Sequence, residues 1–224
     1  MKRVLPLLLL LLGACRQPLA PPASAPTPAP AADPDWYRAA AASGSAVYTV
    51  DPAASLVAVT VRRAGLAARL GHDHVVASHT LAGYAAPGAG RADLSFGLDQ
   101  MTVDEPQLLR EAGIATQRSP EAVEGTRKNM LGPVLDAQRY PTVALHAERL
   151  ADGRLRIAVT LHGVTRSLAL PARIEVSEAQ LSATGTARLK QTDFGITPFS
   201  VGGGLLAVGD ELGMRYHIVA RRRG

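Results

Sequence analysis

RLRIAVTL, residues 154–161, alternates at every step. Leu155, Ile157, Val159 and Leu161 fall on one side, and Arg154, Arg156 and Thr160 on the other. A period of two belongs to a β-strand with one buried face, because successive side chains of a strand point opposite ways; a helix would repeat every 3.6 residues. Asp152 and Gly153 stand just before it. Both residue types tolerate positive φ, so the pair marks a two-residue hairpin turn from an antiparallel neighbour.

The same period runs outward in both directions. Thr142–Glu148 places Val143, Leu145 and Ala147 together, Asp93–Leu98 places Leu94, Phe96 and Leu98, and Ser55–Arg62 places Val57, Val59 and Val61. Val47–Val50, Val75–Tyr84, Arg166–Val176, Gln180–Lys190 and Glu211–Arg221 are read as further strands. Pro171 puts its strand at an edge or a bulge, since proline cannot donate to a ladder. One segment departs from the pattern. Ser119-Pro120-Glu121 reads as N-cap, first-turn proline and an acid at the positive helix end. Val123, Thr126, Met130 and Val134 follow at helical steps until Gly132-Pro133 ends or kinks the helix, and Pro106–Ala112 reads as a shorter turn before it. The expected fold class is therefore all-β: an antiparallel barrel of about eight strands with a helical insertion near residues 106–131. Closure removes exposed edges, and eight strands leave room for a single ligand.

The N-terminus answers a different question. Lys2 and Arg3 precede the leucine-rich stretch 4–12 and then Leu12-Gly13-Ala14-Cys15. That is the layout of a bacterial export signal. Its apolar stretch is too short for a bilayer span, which needs roughly 20 residues. Small residues before a cysteine resemble the lipobox of lipoproteins, in which the cysteine is lipidated and becomes the new N-terminus. Cys15 is the single cysteine of the chain, so it has no internal disulfide to make. It is the expected lipid anchor. Arg16 follows it in place of an aspartate, which resembles outer-membrane sorting. The domains expected are a signal at 1–15, a Pro/Ala-rich tether at 16–45 and one barrel domain at 46–224. Asp35-Trp36-Tyr37-Arg38 stands out from the tether as a stretch that packs on the domain or forms a short helix.

The net charge of +5 includes Lys2 and Arg3. A small surplus spread along the chain is no nucleic-acid signature. There is no Gly-x-Ser-x-Gly elbow and no Walker loop. Gly202-Gly203-Gly204 lacks a following lysine and reads as a turn. Asp99, Asp104 and Glu105 read as solvated charges. The expectation is a non-enzyme without a cofactor.

YTVDPAASLVAVTVRR (48–63), LDAQRYPTVALHAERL (135–150), LRIAVTLHGVTRSLAL (155–170), TARLKQTDFGI (186–196) and VGDELGMRYHIVA (208–220) together resemble the YceI-like, polyisoprenoid-binding, lipocalin-like family. Gly163-Val164-Thr165 and Asp193-Phe194-Gly195 carry the likeness. It implies an extended antiparallel barrel holding a linear amphiphile, an exported protein, and no common enzymatic activity. Val59, Val61, Val134 and Leu135 stand where the family usually has phenylalanines. With three Phe and one Trp in the chain, the interior is expected to be aliphatic.

Val57, Val59, Val61, Leu94, Phe96, Val143, Leu145, Ile157, Val159 and Leu161 are the expected inward, ligand-facing residues, with Phe199 and the glycine run at a mouth. Gly71-His72-Asp73-His74 has three readings. It is a turn at the rim, or His72 and His74 contact the polar head of a ligand, or they bind a metal with a third group. The function expected is a periplasm-facing lipoprotein of the cell envelope that carries or sequesters an isoprenoid or other lipid. A metal-binding or redox accessory protein and a ligand-free structural module are the alternatives.

Overall fold

A computed structural model describes residues 33–115, 118–151, 155–168 and 172–222. The expected signal, Cys15, the tether up to residue 32, the Asp152-Gly153 turn and Pro171 lie outside the described residues. The strands are β1 (Tyr48–Val50), β2 (Leu56–Ala64), β3 (His74–Ser78), β4 (Ala82–Ala86), β5 (Arg91–Gly97), β6 (Thr102–Val103), β7 (Thr142–Arg149), β8 (Leu155–Leu161), β9 (Val164–Leu168), β10 (Arg173–Val176), β11 (Gln180–Lys190), β12 (Ser200–Val201) and β13 (Leu206–Arg222). All pair antiparallel in one sheet.

β13 organises the sheet. One edge pairs with β11, which carries β10. Its other edge pairs with β2 along one part and with β1 near its end. β1 and β2 are thus one strand broken at Asp51–Ser55. The break is fixed by hydrogen bonds: Ala53 N–H donates to Asp51 Oδ1, and Ser55 Oγ accepts from Val219 N–H. It sends β1 to pair with β4, which leads through β5, β7 and β8 to β9, and sends β2 to pair with β3.

The sheet differs from the expected barrel in three ways. It holds thirteen strands, not about eight. Val75–Tyr84 is two strands, broken at His79-Thr80-Leu81, where the two polar residues are exposed and Leu81 is buried. Arg166–Val176 likewise divides into β9 and β10, and no ladder joins those two among the described residues, so the sheet is rolled without being closed.

The helical insertion comprises α2 (Pro106–Glu111), α3 (Pro120–Asn129) and a π-turn at Met130–Val134 that contains Pro133. Ser119 Oγ accepts from Ala122 N–H at the start of α3. The proline removes an N–H donor and lets the helix widen into the π-turn. α2 covers the outer face of β2–β3, where Leu108, Leu109 and Ile114 bury Ala58, Val75 and Ala77. The expected tether ends earlier than residue 45. Residues Pro34–Ala42 form a helix, α1, capped by the Asp33 carboxylate and docked on β4 and β5. No helix among the described residues is long and apolar enough to cross a membrane.

Candidate functional site

Inward-facing rows from the rolled sheet surround a cavity of about 270 Å³. Close-packed interiors hold few voids larger than one water, whose share of liquid volume is about 30 Å³. This space is several times larger than such a void. Its wall is the alternation read from the sequence. β2 supplies Val57, Val59 and Val61; β5 supplies Leu94 and Phe96; β7 supplies Val143 and Leu145; β8 supplies Ile157, Val159 and Leu161. All ten expected inward residues lie on the lining. The ladders explain the convergence, because Leu94 pairs with Leu145 and Leu145 with Val159, so one apolar row crosses three strands.

Burial separates wall from core. Val143, Ile157 and Val159 are buried, whereas Val59, Val61, Leu94, Leu145 and Leu161 keep part of their surface although they point inward. That surface is exposed to the cavity.

Among the lining residues that sequence reasoning missed, two sets stand out. The first is the long final strand, which contributes Leu212, Met214, Tyr216, Ile218 and Ala220 in strict alternation. The signal is in the sequence, where Arg215 and His217 alternate with Met214, Tyr216 and Ile218. The second is the cap, Met130, Val134 and Leu135, where a helical segment crosses the end of the cavity. Val59, Val61, Val134 and Leu135 all lie on the wall.

The polar residues on the lining are Arg149, Gln191, Tyr216 and Arg91, and the Arg91 guanidinium turns outward to Asp93 and Trp36. Arg149 ends the inward row that runs Val143, Leu145, Ala147 along β7, and Gly90 O accepts from its N–H at 2.7 Å. Gln191 Nε2 donates to Gly209 O. Burial pushes the Tyr216 phenol above its ordinary range.

The histidine segment lies elsewhere. His72, His74 and Phe199 are not on the lining. His74 Nδ1 stands 2.7 Å from Oδ2 of Asp104, whose other oxygen accepts from Val75 N–H. Asp104 is thus buried and bonded, contrary to its reading as a solvated charge. Asp73 does not orient a histidine. It accepts from Arg63 N–H and from the Arg62 guanidinium, and although burial opposes this, those bonds hold its carboxyl below the usual range. His72 is exposed and 6.5 Å from His74 between ring centres; desolvation first, and then the Arg118 charge, lower its pKa. No group of three or more His, Cys, Asp or Glu among the described residues is placed to hold a metal ion. The third feature of that region, Phe199, accepts from Val208 N–H through its carbonyl at the start of the β12–β13 hairpin.

A second buried cluster faces outward. Asp93 Oδ2 accepts from Tyr37 Oη at 2.8 Å and from Arg91 Nε at 2.9 Å, while its Oδ1 lies 2.5 Å from His146 Nδ1. The Arg91 guanidinium also lies over the Trp36 ring. This cluster ties α1 to the outside of the cavity wall.

Comparison with known proteins follows the same outline. Two solved structures align over most of their length. A polyisoprenoid binding domain from Saccharophagus degradans, implicated in plant cell wall breakdown, matches with a TM-score of 0.57 at 11% identity, over 79% of this chain and 98% of that one. BcnA of Burkholderia cenocepacia matches with a TM-score of 0.52 at 16% identity, over 76% and 99%. At these identities the likeness is one of fold. No protein of curated function matches the sequence. A family model described as the YceI-like domain matches residues 48–220, which is most of the barrel and runs from β1 into the last turns of β13, and on that ground the chain belongs to the YceI-like family.

Proposed function

We propose that this protein binds a linear amphiphile, an isoprenoid or similar lipid, in the cavity of the rolled sheet. It serves as a carrier or sequestering protein of the cell envelope, held by lipid on Cys15 and facing the periplasm. The observation that carries the reading is the cavity itself, about 270 Å³ with a lining that is apolar but for Arg149, Gln191 and Tyr216 and the backbone end of Arg91. Burying an apolar chain contributes about 0.8 kcal/mol per methylene, so ten give roughly 8 kcal/mol before ordering costs. Useful affinity then needs few polar contacts. The polyisoprenoid-binding name of a protein with the same fold supports the ligand class. The aliphatic wall favours a flexible chain over a flat aromatic ring.

The test is mass spectrometry of protein purified gently from its own envelope. A stoichiometric lipid that survives native desorption and disappears after organic extraction is expected. Protein recovered without lipid, and unable to take up a long-chain isoprenoid alcohol or fatty acid afterwards, would refute the reading.

A further inference from the structure

Five large apolar side chains are exposed among the described residues, and four of them share one end of the molecule. Leu66 is 92% exposed and Leu70 71%, both in the β2–β3 loop; Leu205 is 51% and Val201 45%, in and beside the β12–β13 turn. Exposed apolar residues scattered singly need no explanation, but a cluster does. These two loops touch. Ala67 N–H donates to Leu205 O at 2.9 Å, and a Cβ on Gly65 would lie 2.6 Å from the carbonyl oxygens of Gly204 and Leu205. The tip is therefore a built unit. It prolongs the β2–β13 ladder that carries Val61 and Leu212 of the cavity wall, through the pairs Arg63–Val208 and Ala64–Ala207.

The charge around these side chains is one-sided. Arg62, Arg63 and Arg69 are exposed there, Asp73 is paired with the first two, and Asp210 on the adjoining β13 bulge lies by Lys190. Four positive charges against two negative leave a surplus of two. We propose that this tip docks on the surface of an anionic lipid bilayer, with Leu66, Leu70 and Leu205 entering the headgroup boundary and the arginines meeting lipid phosphates. Peripheral binding of this kind scales with the apolar area buried plus attraction to anionic lipid. Side chains as exposed as Leu66 stand out from the fold, which suits insertion among acyl chains more than contact with a shaped protein partner. Docking would bring the cavity wall to the bilayer, where an apolar cargo resides.

The experiment uses the full chain carrying Cys15→Ala and Leu66→Cys, labelled with a polarity-sensitive fluorophore. A matching chain carries the label at Val176→Cys, the fifth exposed apolar position, at the end of β10. Vesicles contain phosphatidylglycerol with phosphatidylcholine, or phosphatidylcholine alone. The expected result is increased emission from the Leu66 position on anionic vesicles, quenched by brominated acyl chains and diminished by salt, with no response from the Val176 position. Arg69→Gln should weaken apparent vesicle affinity about fivefold, the value of one basic group near such a surface, and Leu70→Ser with Leu205→Ser should reduce the bound emission further. The site-specific label keeps any membrane contact of the N-terminal leucines from imitating the result. Equal responses at both positions, equal responses on neutral vesicles, or no response at Leu66 would overturn the proposal. So would a response that depends on protein concentration without lipid, which marks self-association.

Discussion

Asp93 is 1% exposed and takes three donors, from Tyr37, Arg91 and His146. A buried carboxylate persists only when paired and bonded. Asp93→Ala should cost about 3–5 kcal/mol, because it leaves the Arg91 charge partly buried without its partner. Tyr37→Phe removes one bond to a charged acceptor and should cost about 1.5–3 kcal/mol. Denaturant midpoints of the two variants give the order. A cost for Asp93→Ala below that for Tyr37→Phe would contradict it. The same residues set a pH dependence. Burial first, then the hydrogen bond to Asp93 and its charge, push the Tyr37 phenol well above its ordinary 10.0. Below pH 10 both folded and unfolded chains keep the proton, so the contribution is complete. Above it the unfolded chain ionises while the folded one holds on, so stability falls as pH rises toward the folded value. The stability difference between the native protein and Tyr37→Phe should shrink above pH 10 and stay level from pH 7 to 9. In the sequence, Asp93 was readable as the polar neighbour of Leu94 on an alternating strand. Its burial was not, because the helix that covers it lies 56 residues away.

The elements that could be read were those whose polar and apolar faces differ. On β8 the apolar row against Arg156 and Thr160 fixes the inward face. On β3 and β4 one face lines the cavity and the other packs on α2 or α1, so the alternation fades and the segment reads as one strand through His79-Thr80-Leu81. α1 is ambiguous in the sequence for a related reason: Trp36 and Tyr37 need a surface to pack on, and local sequence does not show one. The β8–β9 turn shows what a short motif contains. His162 and Gly163 both have positive φ, at 52° and 73°, as a two-residue hairpin of this twist requires. Gly163 also faces the Tyr140 ring, where an added Cβ would stand 2.5 Å from a ring carbon. Gly163→Ala therefore carries the left-handed backbone cost, about 1–2 kcal/mol, and must displace Tyr140 as well. The expected loss in thermal unfolding exceeds that of Gly88→Ala, where a Cβ meets nothing within 4 Å and φ is not positive. Equal losses at the two sites would show that Tyr140 moves freely and that the turn does not hold the hairpin.

At the scale of the whole molecule, the question is whether the rolled sheet encloses usable space or a poorly filled core. Substitution can separate the two. Adding volume to a close-packed interior typically costs 1–3 kcal/mol, because side chains must leave their rotamers. Val75 is such a position: it is 2% exposed and sealed between β3 and α2. Val75→Phe should show that cost in the denaturant midpoint. Leu145 sits at the centre of the row that links Leu94, Leu145 and Val159, and it keeps part of its surface toward the cavity. Leu145→Phe has room to enter. Its stability without lipid should stay within about 0.5 kcal/mol of the native protein, as for substitutions that neither open a cavity nor overfill one. Its lipid content should fall, and Leu145→Phe with Val159→Phe should lower it further. The pattern expected is opposite at the two sites: Val75→Phe loses stability and keeps its guest in the folded fraction, while Leu145→Phe keeps stability and loses the guest. A Leu145→Phe protein destabilised as much as Val75→Phe would mean that the interior closes on itself in solution, and the lining residues would then be core residues and nothing more.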